Sequence, residues 1–432
     1  MKILRIASIA LLAALVLSLP LLAQERPSPA PQEKLSPAQQ KIDWVQKAIE
    51  KNPQQYKLYN DLALAFARRA RETSDVSFYA KATAALDKSF ELSPSNLEGQ
   101  KIRAWILLGQ HEFTKAVELA RALNKRTPDD VLIYGFLVDG NAELGNYKDA
   151  EEAAQWMLDI RPGNVPGLTR AAYLRELFGD VDGAIELMNS AFQQTPPNEI
   201  EDRAWILTQL AHLQLSTGNV GAAERLLQQA LILFPGYHYA LGNLAAVRTA
   251  QNKHADAVEL LQQRYHAAPH AENLYALAET LERAGQRAEA KAAYVEFEQK
   301  ARREIDLADN ANRELIFYYA DHAGRPDEAI RIARIEASHR HDTHTLDAYA
   351  WALYVNGQYA EARKEMDAAL AVGIRDARML YHAGAIAAKQ DDRGSAARFF
   401  KQSLELNAIS ECAAAAREAL QKFSPATPAT AR

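Results

Sequence analysis

The chain has 432 residues, 50 basic and 55 acidic side chains, a net charge of −5 and 48 % hydrophobic residues. So even a balance excludes a nucleic-acid binder, which needs a concentrated basic face, and glycine (19) and proline (17) are too few for a largely disordered chain. The one cysteine, Cys412, excludes an internal disulfide framework, so stability must come from packing, with Cys412 itself either a small buried apolar residue or a redox thiol.

The chain opens like an export signal. Lys2 and Arg5 are followed by an apolar run from Ile6 to Leu19, a helix-breaking Pro20 and a small residue, Ala23, before Gln24. Residues 1–23 are therefore expected to be removed on the way to the periplasm or cell exterior, leaving no stable membrane insertion. The alternative is an uncleaved N-terminal membrane anchor, because Ile6 to Ala23 is nearly long enough to span. Residues 24–37, with Pro27, Pro29, Pro31 and Pro37 among polar neighbours, read as an extended linker. From Ala38 to Asn52 the apolar residues Ile42, Val45, Ala48 and Ile49 recur at helical spacing, which predicts a half-unit that caps the rest of the chain.

Beyond Asn52 the chain is periodic. Alanine recurs at Ala82, Ala116, Ala150, Ala184, Ala223, Ala257, Ala290, Ala329, Ala362 and Ala396, with spacings of 33 or 34 residues and two of 39. A fixed period in that range means a stacked array of helix pairs. Pro94, Pro128, Pro162, Pro196, Pro235 and Pro269 each lie twelve residues beyond one of these alanines and end the unit, because proline cannot continue a helix. Within a unit the first helix ends at a glycine, as in Gly145-Asn146-Tyr147-Lys148-Asp149-Ala150 and Gly357-Gln358-Tyr359-Ala360-Glu361-Ala362. A second small residue falls inside the first helix: Ala63, Ala104, Ala172, Ala211, Ala245, Ala278, Ala350 and Gly384. Small side chains at both places let two helices cross closely. After the tenth unit, residues 409–423 read as a capping helix and 424–432 as a disordered tail.

This pattern resembles the tetratricopeptide repeat and covers Ala38 to about residue 408. Departures are the bulky Val138 and Phe317 at the small position, the missing terminal proline where Arg302 stands and after the last three units, and insertions near 197–201, 303–310 and 72–77. The resemblance implies an all-α, right-handed α-solenoid of about ten helix pairs, non-enzymatic and without a cofactor, whose first helices line a concave face that binds protein partners.

No catalytic motif stands out: Gly-x-Ser-x-Gly, a phosphate loop and His-Glu-x-x-His are all missing from the sequence. His339, His341 and His344 with Asp342 could hold zinc or copper, or could form a polar loop with Thr343 or Thr345 capping the next helix. Counting from each small residue places Trp105, Tyr173, Tyr275, Glu279, Glu282, Glu314, Tyr318, Asp347, Trp351 and Tyr381 on the inward face of the first helices, beside Trp205, Tyr239, Tyr354 and Asp321. Aromatic side chains carry large contact area and dominate interfaces. The same rings could instead pack between helices. The acidic, aromatic later half suits a partner segment bearing Lys or Arg. Alternatively, the rings could stack on the sugars of an envelope polysaccharide. The clamp for a C-terminal carboxylate found in some tetratricopeptide proteins is poorly matched, because Trp105 and Asp139 stand beside Lys101 where amides or cations would help.

Overall fold

The computed structural model describes residues 35–423, so the expected leader (1–23), most of the linker and the tail (424–432) lie outside the described residues. Every regular element among the described residues is helical. The leading helix runs Pro37–Lys51, one residue earlier than expected, because proline is well suited to the first position of a helix. Ten helix pairs succeed it. They are Tyr56–Thr73 with Ser77–Leu92, Leu97–Gly109 with Phe113–Asn124, Val131–Glu143 with Tyr147–Ile160, Val165–Leu177 with Val181–Gln194, and Ile200–Ser216 with Val220–Leu233. The second five are His238–Ala250 with His254–Ala267, Ala271–Arg283 with Arg287–Glu304, Asn312–His322 with Pro326–Glu336, Thr343–Val355 with Tyr359–Leu370, and Ala377–Lys389 with Arg393–Leu406. The last helix is Ala413–Phe423, and residues 409–412, expected to be helical, form its approach turn. No helix among the described residues is long and apolar enough to cross a membrane.

The alanine period is the crossing point of the pairs. All ten alanines are buried, nine of them completely, as are the small residues of the first helices. Each unit packs on the next, and at most junctions the consecutive first helices also touch, so the core runs on from unit to unit along the array. Local polar chemistry fixes the helix starts: Asn96, Asp130, Asn164, Asp180, Asp376 and Asp392 each accept a backbone N–H of the first turn they precede. Val138 fits the crossing and is fully buried. Phe317 does not fit in the same way. The first helix of unit eight widens into a π turn over Tyr318–His322 directly after it. A π turn takes up an extra residue and so changes the facing of every side chain beyond it.

The array winds back on itself. The backbone N–H of His341 donates to Glu143 O (3.2 Å), that of Thr343 to Tyr147 Oη (2.9 Å), and Asn407 Nδ2 to Leu215 O (3.2 Å). The turns inside units three, four and five thereby dock on the loops that open unit nine, unit ten and the last helix. Two glycines make this approach feasible. Gly145 and Gly179 sit at positive φ (74° and 81°), and a Cβ on Gly145 would lie 2.6 Å from the His341 carbonyl, while one on Gly179 would strike the carbonyl of Gly373. Successive turns of the superhelix, six units apart, are in direct contact along this seam.

Candidate interaction surface inside the superhelix

Four of the residues expected to line an open groove are packed into the array: Tyr275 (5 % exposed), Tyr318 (8 %), Asp347 (4 %) and Trp351 (8 %). Tyr275 lies against Phe297 (5.1 Å between ring centres) and Tyr318 stacks on Tyr294 (5.3 Å). Trp351 stacks on His382 (4.1 Å, 18°) and on Tyr354, and its Nε1 donates to Asp321 (2.8 Å). Asp347 meets His382 Nδ1 at 2.7 Å with both side chains buried. Tyr381 is half-buried, resting on Phe400 and Trp351. The alternative of rings packed between helices describes this half of the array: Tyr275 and Tyr318 pack on the second helix of unit seven, and Trp351 packs on the first helix of unit ten.

The acidic residues there meet cations of the same chain, so the acidic character expected of this half is largely neutralised. Glu279 accepts from the Tyr275 hydroxyl (3.1 Å) and lies near His322 (3.6 Å) and Arg283 (3.8 Å). Burial pushes the Glu279 carboxyl up, but His322, Arg283 and Arg378 outweigh it and hold it below the ordinary range. Glu282, exposed, meets His322 Nδ1 at 3.0 Å. Burial pulls the His322 imidazole down, and Glu279, Glu282 and Asp321 raise it above its ordinary value. Glu314 lines a cavity of about 410 Å³ beside Arg313, Arg375, Arg378 and His344, and burial raises its carboxyl. A second cavity, about 290 Å³, holds Arg264 and Arg283 and shares Asn407, Ser410 and Glu411 with the first. Arg283 and Arg378 both reach Glu411 (2.8 and 3.4 Å). Sequence counting missed His322 and these guanidinium groups. His322 is turned inward by the π turn, and Glu411 lies beyond the last repeat, where no repeat position predicts it.

The earlier half keeps a pocket. Tyr173 and Trp205, on the first helices of units four and five, line a hollow of about 320 Å³ with Val165, Pro166, Thr169 and Ile206. Its polar rim holds two guanidinium groups, each ion-paired. Arg170 meets Asp139 at 2.5 Å, and Arg71, from the end of unit one's first helix, pairs with Glu201 and with Asp202 (2.6 Å). Tyr173 and Trp205 are half-buried, and each contributes part of its ring to the lining of the hollow. Trp105 is half-buried too, packed beside the core of units two to four.

The histidine loop has a structural role. Asp342, rather than Thr343 or Thr345, caps the first helix of unit nine, accepting from the N–H groups of His344 (3.0 Å) and Thr345 (3.2 Å). Burial pushes Asp342 up, yet Arg313 and Arg340 hold it below the ordinary carboxylate range. His339, His341 and His344 are exposed. Among the described residues no three His, Cys, Asp or Glu side chains converge as metal ligands.

A tetratricopeptide-repeat family model matches residues 102–165 and 208–272. The two matched stretches carry tetratricopeptide repeats, and the same crossing alanines and turns run from unit one to unit ten. No curated protein matches its sequence. Among solved structures it is similar to the human IFIT1 dimer with PPP-AAAA (13 % identity, TM-score 0.50, covering 84 % of this chain and 86 % of that one). It is also similar to yeast Tom70 (14 %, 0.41, 89 % and 95 %) and to the APC/C hetero-tetramer Cut9-Hcn1 (15 %, 0.45, 89 % and 58 %). The chain thus spans little more than half the length of that last structure's matched chain. These likenesses concern the fold.

Proposed function

We propose that this protein is a non-enzymatic interaction scaffold, exported to the periplasm or cell envelope, that holds a protein partner against its inner face. The observation that carries the reading is the pocket of Tyr173 and Trp205. Two half-buried rings from consecutive first helices enclose a mostly apolar hollow whose rim charges are already paired. Such a site suits an apolar or aromatic side chain on an extended partner segment, because the rings supply area at low entropy cost and the rim adds no net charge. A lysine- or arginine-rich segment is less well matched than the sequence suggested, since Glu279, Asp347 and Glu314 face the chain's own histidines and arginines. The export signal rests on residues 1–23, and N-terminal sequencing of protein from its native host tests it: a start at or near Gln24 is expected, and an intact Met1 recovered only with membranes overturns it.

Crosslinking in the native envelope, with mass spectrometry of the products, identifies the partner. Tyr173→Ala and Trp205→Ala should then each weaken binding by about 2 kcal/mol if they are anchors, with circular dichroism unchanged. Normal binding by both folded variants, together with loss of binding on changing the outer second helices, would move the site to the outer face. Polysaccharide binding through the same rings is separated by a glycan array.

A further inference from the structure

The three places where the repeat spacing breaks are also the places where the first two units are tied to units five through eight. The residues around the first insertion, Arg71 to Ser77, run from the end of the first helix of unit one to the start of its second. His238, at the start of unit six and 1 % exposed, makes a 3.1 Å hydrogen bond from Nε2 to Arg71 O and lies 3.4 Å from Ser74 Oγ. The second insertion brings Glu201 and Asp202 to the Arg71 guanidinium, and Tyr237 donates to Glu201 (2.7 Å). The third brings Asp309 to His111 of unit two, 3.5 Å apart. Among the described residues, Ser74 and His111 are two of the four non-glycine residues at positive φ (52° and 58°), a conformation that glycine adopts at less cost. At both positions a side chain that reaches across the interior stands where glycine would relieve the backbone.

Arg71 also lines the pocket of Tyr173 and Trp205. The end of unit one's first helix therefore lies over the surface assigned above to the partner. We infer that the three insertions form a latch, with Arg71 as its clasp, that holds the superhelix shut over its own binding pocket, so that partner access requires the Arg71–Ser77 segment to release. The inference rests on that reading for its purpose, but its test needs no partner.

The chain has five tryptophans, Trp44, Trp105, Trp156, Trp205 and Trp351, so variants retaining one each are feasible with phenylalanine elsewhere. Acrylamide quenching then reports access to Trp205 directly, with the exposed Trp156 as control. Arg71→Met should raise quenching of Trp205 severalfold, leave Trp156 unchanged and speed hydrogen exchange over residues 71–77. Should Arg71→Met fail to fold by circular dichroism, Glu201→Gln with Asp202→Asn removes the same attraction while leaving Tyr237 an acceptor, and the same readout decides. Unchanged Trp205 quenching in a folded variant whose 71–77 segment exchanges faster overturns the latch. So does unchanged exchange there, since Arg71 would then not be the clasp. If the pocket opens as expected but Tyr173→Ala and Trp205→Ala bind the crosslinked partner normally, the latch stands and the partner site is elsewhere.

Discussion

Arg340 reaches back 197 residues to the carboxylate of Glu143, joining the loop before unit nine to the end of unit three's first helix. The guanidinium is also within 3.5 Å of Asp342 and 3.9 Å of Glu336, both almost wholly buried. Arg340 thus meets three carboxylates at the seam between turns of the superhelix, and Asp342 alone of the three also lies near a second guanidinium, that of Arg313 (3.7 Å). Removing Arg340 strands buried charge, which costs more than the pair contributes as a unit. Arg340→Ala should lower stability by about 3–5 kcal/mol, measured by urea unfolding. Glu143→Gln should cost less, since Asp342 and Glu336 keep their partner. Equal small effects from both would show that the seam is held elsewhere.

The crossing alanines make a local prediction. Ala257 is fully buried between the helices of unit six. Ala257→Leu should overpack that crossing at about 1–3 kcal/mol, and hydrogen exchange should quicken in units five to seven alone, because repeats contact mainly their neighbours. Loss of protection spread evenly over ten units would contradict it.

The latch residues titrate in opposite senses. Burial, with Arg264 and His270 nearby, lowers the His238 imidazole from 6.5 to about 4, and burial, with Arg340 and Arg313, lowers that of His111 to about 3. Each therefore contributes stability that is present above pH 6.5 and is lost as pH falls through its folded value. Asp309, raised from 3.8 to about 6 by burial and by Glu272 and Glu304, behaves inversely: its contribution is present below pH 3.8 and is lost as pH rises through 6. The His238 contribution is isolated by comparison: between pH 6.5 and 4 the melting temperature should fall more steeply in the parent than in His238→Asn. Parallel profiles would remove His238 from the account.

Trp351 separates a structural role from a binding one. Its ring is sandwiched by His382 and Tyr354 and its Nε1 is bonded to Asp321. Trp351→Ala should destabilise by about 3–5 kcal/mol, whereas Trp351→Phe forfeits mainly one hydrogen bond, about 0.5–1.5 kcal/mol. Partner affinity should be unchanged in Trp351→Phe. A large loss of affinity with stability retained would return Trp351 to the binding surface.

The repeat unit was legible in the sequence because it is set by contacts within one period. Ala82, Ala116 and their successors lie at the crossings, and Pro94 and its counterparts lie between the units, as the spacing implied. These features answer to local rules of helix ending and close approach, which a short stretch of sequence contains. What the inward positions meet was not legible, because Tyr275 packs on the second helix of its own unit, whereas Trp351 meets His382 of the next unit and Asp321 of the one before. The seam and the latch were decided by tertiary structure alone. Glu143 and Arg340 meet only after the small rotation at each of six units has accumulated, and a slight change in any of them would part the two. No local pattern encodes that sum, so the sequence specified the repeat, and the winding of the whole array determined that its concave face would be an enclosed interior.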